Sequence, residues 1–345
     1  MTALINNKKL VVLLVFLLCA GCFHEETSTP SPKLMTSPNQ KRDNGFSIVA
    51  GEKIGIQDQV VQPIHLTPTK AISFVDELHG YGVSSGTLDL QFLKSSDGGM
   101  TWRALSRLPQ TIMASAISFF DYQTGWLLTS ESSDEKSELR LTLDGGQTWE
   151  VIAQDLPGLE TRGEELFFRF FDRHQGLIAF QSGKDMILLR TQDGGLTWSA
   201  SSRISMPSEK EGLFTFRSAI EGWFIGPSKK DKEVSILYHM TDGETWQETG
   251  RLPSFLAPQA ISFTDQQNGF ILLHANPQSS EKTWQFLRTF DGGKTWRQHE
   301  FPSTFQPLAA SLHLSFPTAT SGWLLDARDL WQTTDGGLNW RLLTP

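Results

Sequence analysis

The feature that most constrains this chain is a short pattern, Asp-Gly-Gly-x-Thr-Trp or a close variant, which occurs six times. The copies begin at Asp97, Asp144, Asp193, Asp242, Asp291 and Asp335, and they end on Trp102, Trp149, Trp198, Trp246, Trp296 and Trp340. Successive aspartates stand about 44 to 49 residues apart, a period long enough for one supersecondary unit. A second signature runs in phase with the first: a Phe, six residues later a Gly, then an apolar residue. Its pairs are Phe74 and Gly80, Phe119 and Gly125, Phe170 and Gly176, Phe216 and Gly222, Phe263 and Gly269, and Phe316 and Gly322. In three copies the Gly precedes a tryptophan: Trp126, Trp223 and Trp323.

Within a unit the hydrophobic pattern and the turn residues predict four short strands. In the second unit these are 116–120, 126–129, 138–143 and 148–153. Five residues before each repeat aspartate stands a large apolar residue (Phe92, Leu139, Leu188, Leu237, Phe286 and Leu330), the expected inward face of the third strand. Four antiparallel strands per unit, repeated around a ring, is the pattern of an all-β propeller. A single sheet cannot cover both of its faces, whereas radial stacking lets each cover its neighbour. The motif tryptophans, at roughly 150 to 250 Å² of buried area each, are assigned to packing between blades. The expected fold is a six-bladed β-propeller of four-stranded antiparallel blades, with residues 46–66 supplying an N-terminal strand that helps closure. Seven blades with one incomplete sheet is the alternative.

The segment 1–21 has the form of an export signal: Lys8 and Lys9, then the apolar run Leu10 to Leu18, then Ala20-Gly21 before Cys22. The run is too short to span a membrane. Leu18-Cys19-Ala20-Gly21-Cys22 resembles the bacterial lipobox, with Cys19 where that pattern usually has Leu. The resemblance implies cleavage before Cys22, lipidation of Cys22, and anchoring of the chain to the outer surface of the cell membrane. The two cysteines both lie here, which leaves the exported domain without a disulfide. Residues 22–45 are rich in Ser, Thr and Pro and poor in large apolar residues, the composition of a flexible tether. The propeller is expected over 46–345. The formal charge of −8, made more negative when Lys8 and Lys9 leave, excludes nucleic acid as a partner.

The sequence Ser95-Ser96-Asp97-Gly98-Gly99-Met100-Thr101-Trp102 has the full pattern of the Asp-box, or bacterial neuraminidase repeat. Its chemistry is that of a hairpin, with an Asp that accepts backbone N–H groups and glycines that supply positive φ. Radial repetition holds the six aspartates too far apart to share a metal or a substrate, so they are expected to be structural, with no metal and no cofactor. The copy at Asp242 is one residue short, and Asn339 replaces Thr in the last. Three residues before each aspartate stand Lys94, Leu141, Arg190, His239, Arg288 and Gln332. These are either an anion-binding ring or a strand face whose stems cover the neighbouring blade.

Two resemblances bear on function. Asp-box propellers include sialidases, which implies three arginines for the substrate carboxylate, a Tyr-Glu nucleophile, an Asp acid and a Phe/Tyr-Arg-Ile-Pro motif. That tetrapeptide is absent, and of Tyr81, Tyr122 and Tyr238 the first two sit beside the Phe-to-Gly turns, away from the variable loops. No catalytic residue is assigned. A resemblance carried by both signatures together, as in Ile117-Ser118-Phe119-Phe120-Asp121, Gly125-Trp126-Leu127-Leu128 and Thr142 to Trp149, links residues 71–343 to the photosystem II assembly and stability factors and their relatives in non-photosynthetic bacteria. It implies a non-enzymatic scaffold at a membrane surface that holds a protein partner, such as a membrane protein or envelope complex. A glycan-binding protein or a glycoside hydrolase of sialidase-like fold is the alternative. The loops between strands two and three and between blades vary most, and variable loops on a rigid scaffold usually carry recognition, so the partner is expected on that face.

Overall fold

The computed structural model of the chain describes residues 54–55, 71–85, 89–109, 112–131, 136–157, 159, 166–200, 203–207, 212–231, 234–253, 256–275, 284–307, 312–326 and 329–343. The export signal, Cys22 and the tether lie outside these residues. The described residues form six antiparallel sheets in chain order, each built on four consecutive strands, the outermost of blade 3 split into Ser199–Ala200 and Ile204–Ser205. This is a six-bladed β-propeller. In blade 2 the strands are Ile112–Phe119, Gly125–Glu131, Ser137–Thr142 and Thr148–Gln154, within a few residues of the sequence pattern.

One expectation is corrected. The N-terminal strand Ile54–Gly55 does not lie at the closure of the ring; it pairs with Trp149 and Thr148 on the outermost strand of blade 2. Blade 6 is completed by the chain's own last strand, Arg341–Leu342, and packs directly on blade 1. Among the described residues no strand is borrowed to close the ring.

The packing between blades explains both repeated signatures. The residue after the signature Gly stacks on the signature Phe of the following blade: Tyr81 on Phe119, Trp126 on Phe170, Trp223 on Phe263 and Phe270 on Phe316, with ring centroids 3.6 to 4.1 Å apart. The sixth blade closes on the first in the same way, Trp323 on Phe74 at 3.8 Å. The Phe ring also lies across the Gly of its own blade, where any side chain would collide with it. Phe92, Leu139, Leu188, Leu237, Phe286 and Leu330 are all essentially inaccessible to solvent. Phe92 presses on Gly146, Leu139 on Gly195, Leu237 on Gly293, Phe286 on Gly337 and Leu330 on Gly99, each on the second glycine of the next blade's Asp-box. That glycine is needed twice over, for its positive φ and for the close approach.

In each Asp-box the carboxylate closes its own turn. Asp97 accepts the Thr101 N–H at 2.9 Å and the Ser95 hydroxyl at 2.8 Å, and its second oxygen accepts the Thr101 hydroxyl at 2.5 Å. The variants keep this chemistry: Asn339 donates its side-chain amide to Asp335 at 2.7 Å in place of Thr, and Asp242 accepts the N–H groups of Glu244 and Thr245. The first glycine of each Asp-box donates to a carbonyl in the Phe-to-Gly turn of the same blade, from Gly98 to Leu78 at 2.8 Å through Gly336 to Thr320 at 2.7 Å. The two families of turns therefore form one continuous face of the ring.

Candidate functional site

Two regions carry side chains that the repeat itself does not consume: the turn face and the central channel. On the turn face each Phe-to-Gly loop is built around an acceptor side chain two residues after the Phe. Asp76 accepts the N–H groups of Leu78 and His79, Asp121 those of Gln123 and Thr124, Asp172 those of His174 and Gln175, and Asp265 those of Gln267 and Asn268. Ser218 and Thr318 take the same place in blades 4 and 6. Loops of successive blades are linked as well. Tyr122 donates to Asp76 at 2.6 Å, Arg173 to Asp121 at 2.7 Å, and Ser321 of blade 6 to Glu77 of blade 1 at 2.7 Å.

The juxtaposition of Asp76, His79 and Tyr122 is the nearest approach to a catalytic constellation on this face. Burial acts to raise the Asp76 carboxyl, but hydrogen bonds from Tyr122, His79 and Leu78 outweigh it and hold the group at about 2, so it is no proton donor near neutrality. The hydrogen bond to Asp76 raises the Tyr122 hydroxyl above its ordinary value. The Asp-box carboxyls are likewise lowered, at Asp291 to about 2 by the Thr295 side chain and backbone. Among the described residues no group of three or more His, Cys, Asp or Glu is arranged to hold a metal ion.

The basic column three residues before the Asp-box follows the structural alternative. Arg190 donates to the carbonyls of Ala219 and Gly243, both at 2.9 Å in blade 4, and Arg288 to Ala319 at 3.1 Å and Gly336 at 3.3 Å in blade 6. His239 stacks on Trp223 and meets Glu221 at 3.2 Å. Arg190 and Arg288 clamp one blade to the next, whereas His239 keeps its contacts within blade 4.

What the turn face does expose is apolar. Ten large hydrophobic side chains are exposed among the described residues, and nine stand in these turns: Leu78, Phe120, Tyr122 and Ile220 in the Phe-to-Gly loops, and Met100, Leu143, Leu196, Phe290 and Leu338 in the Asp-boxes. Leu143 reaches 68% exposure. The segments 132–135, 160–165, 208–211 and 276–283, among the variable stretches expected to carry the partner, lie outside the described residues.

The central channel, of about 240 Å³, is lined by the innermost strands of all six blades. The residue just before the signature Phe occupies one register position in every blade, opposite the residue that follows the signature Gly: Ser73, Ser118, Arg169, Thr215, Ser262 and Ser315. Five are hydroxyl side chains and one is Arg169. Sequence reasoning passed over this column, although aligning the six repeats on their Phe displays it. The Asp-box residues Asp97 to Trp340, by contrast, are structural parts of the turns and of the blade interfaces.

No family model matches the chain, and no curated protein matches it. Among solved structures it is similar to YCF48 bound to D1 peptide, at 19% identity over 84% of this chain and 88% of that one, with a TM-score of 0.46. It is also similar to SapL1 lectin in complex with alpha methyl fucoside, at 11% identity over 82% and 96%, TM-score 0.51. A third is the GH93 alpha-L-arabinofuranosidase of Fusarium graminearum, at 14% identity over 79% and 92%, TM-score 0.47. At such identities the likeness shows the β-propeller fold alone.

Proposed function

We propose that this chain is a non-catalytic binding module, displayed on the extracytoplasmic side of a membrane by lipidated Cys22, which engages a protein partner through the turn face of the propeller. The observation that carries this reading is that, among the described residues, nine of the ten exposed large apolar side chains stand in the rigid turns. Exposed apolar side chains gathered on one face mark interaction surfaces more often than single scattered ones do. Each turn is fixed by its own Asp, Ser or Thr, and three of the junctions carry a further hydrogen bond between turns, so docking would order little additional chain. The resemblance of both repeat signatures to assembly factors points the same way.

The test is co-purification from membranes of cells making the full chain, compared with a Phe120→Asp/Leu143→Asp variant. Both positions are exposed, so folding should survive. The expected result is a partner enriched by the natural chain and lost at least about tenfold by the variant. Undiminished capture would contradict the assigned face, and measurable glycan hydrolysis by the purified protein would contradict the non-catalytic reading. Cys22→Ser should release the protein from the membrane fraction.

A further inference from the structure

The junction between blades 3 and 4 breaks the repeat in three places at once. Leu177 replaces the aromatic residue that elsewhere stacks on the next blade, the Asp-box at Asp242 lacks its second glycine, and Arg169 replaces a hydroxyl in the channel column. At two regular junctions the hydroxyl accepts a backbone N–H of the next blade. Ser73 accepts that of Phe119, and Ser118 that of Phe170, both at 2.9 Å. Arginine is a donor without acceptor capacity, so Arg169 cannot do the same for Phe216. A repeat position that abandons a packing role, in a chain that otherwise keeps its local rules, is where function is expected.

Arg169 lines the channel and is exposed to its lumen, yet the surrounding strands withdraw enough water to lower its pKa. Its side chain makes no hydrogen bond or ion pair with any described residue. Among the described residues no Asp or Glu lines the channel, so a single fixed positive charge sits at the axis of an acidic protein. Leaving a guanidinium partly desolvated and unpaired is costly, and an oxyanion relieves that cost with up to five charge-assisted hydrogen bonds. The flanking hydroxyls of Ser118 and Thr215 stand at the same level of the ring and offer further donors.

We propose that the central channel is a binding site for a small carboxylate, held by Arg169. Guanidinium geometry favours a planar carboxylate bound through two parallel hydrogen bonds. A channel of about 240 Å³ lies below the usual range of ligand pockets and limits the occupant to a few heavy atoms beyond that group. This site is independent of the turn face and of whatever docks there.

The decisive variant is Arg169→Ser, which restores the residue type of the other blades and so should fold. Titration of the purified protein with acetate, lactate, succinate and inorganic phosphate at low ionic strength, followed by NMR and by thermal unfolding, reads the site. The expected result is saturable binding of at least one carboxylate to the natural protein and an affinity loss of about tenfold or more in Arg169→Ser. The variant should be at least as resistant to unfolding as the natural chain in the absence of ligand. Equal binding by the variant, binding of phosphate but of no carboxylate, no saturable binding at all, or marked destabilisation of Arg169→Ser would each overturn the proposal.

Discussion

Trp323 lies parallel to Phe74, with ring centroids 3.8 Å apart and planes within 7°, although the two residues belong to opposite ends of the propeller sequence. The Trp323 indole N–H also donates to the carbonyl of Gly98 at 2.9 Å. The same pair of contacts recurs inside the chain, where Trp126 stacks on Phe170 and donates to Gly194. The ring therefore closes with the contact it uses between neighbours.

Trp323→Ala should be as damaging as Trp126→Ala, each by about 3 to 5 kcal/mol as expected for a truncated buried aromatic. Urea unfolding of the two variants checks it. A mild effect at Trp323 beside a severe one at Trp126 would mean that blade 6 does not close on blade 1.

Gly146 has φ of 93°, and a Cβ there would strike the Phe92 ring of the preceding blade. Gly146→Ala is expected to cost about 2 kcal/mol or more. Combining it with Phe92→Leu should relieve part of that cost, leaving the backbone component. Strict additivity in the double-mutant cycle would count against direct contact.

Arg190 connects blade 3 to two carbonyls of blade 4. Arg190→Met keeps most of the apolar stem but removes these donors. It should destabilise by about 1.5 to 3 kcal/mol, the usual range for a hydrogen bond to a charged group, with no effect on anion binding in the channel. Circular dichroism melts and the carboxylate titration separate the two readouts.

Asp76, Asp121 and Asp291 all sit at about 2 in the folded chain, below the ordinary carboxylate value. Burial opposes the shift at Asp76 and Asp121, where hydrogen bonds outweigh it; at Asp291 the Thr295 bonds lead. Because the folded values are depressed, these groups stabilise the fold above the unfolded pKa near 4. That contribution is lost as pH falls from about 4 towards 2. Unfolding free energy measured across this window should drop, and a flat profile would contradict the assigned bonds. Partial exposure keeps the contribution of each group small.

The architecture is legible in the sequence because the repeat residues do one job six times. Phe74 with Gly80, and Phe92 with the second Asp-box glycine, act through packing that any alignment of the units exposes. Closure is harder to read, because a short apolar segment before blade 1 looks like a spare strand, whereas stacking of Trp323 on Phe74 makes one unnecessary. The turn acceptors Asp76, Asp121, Asp172 and Asp265 and the channel column containing Arg169 escape a reading of the sequence for a different reason. They sit beside the signature Phe and carry weak individual signals; aligning the repeats on that Phe collects the column, and strand register then places Arg169 in a ring of hydroxyls.

The central claim, that the turn face is the binding surface, is tested most directly by position-resolved photocrosslinking in intact cells. A photoreactive residue at Phe120, Leu143 or Leu196 should trap one and the same envelope protein, whereas residues placed at Lys184 and Lys230, on the opposite face, should trap none. Capture of that protein from the opposite loops alone would contradict the account.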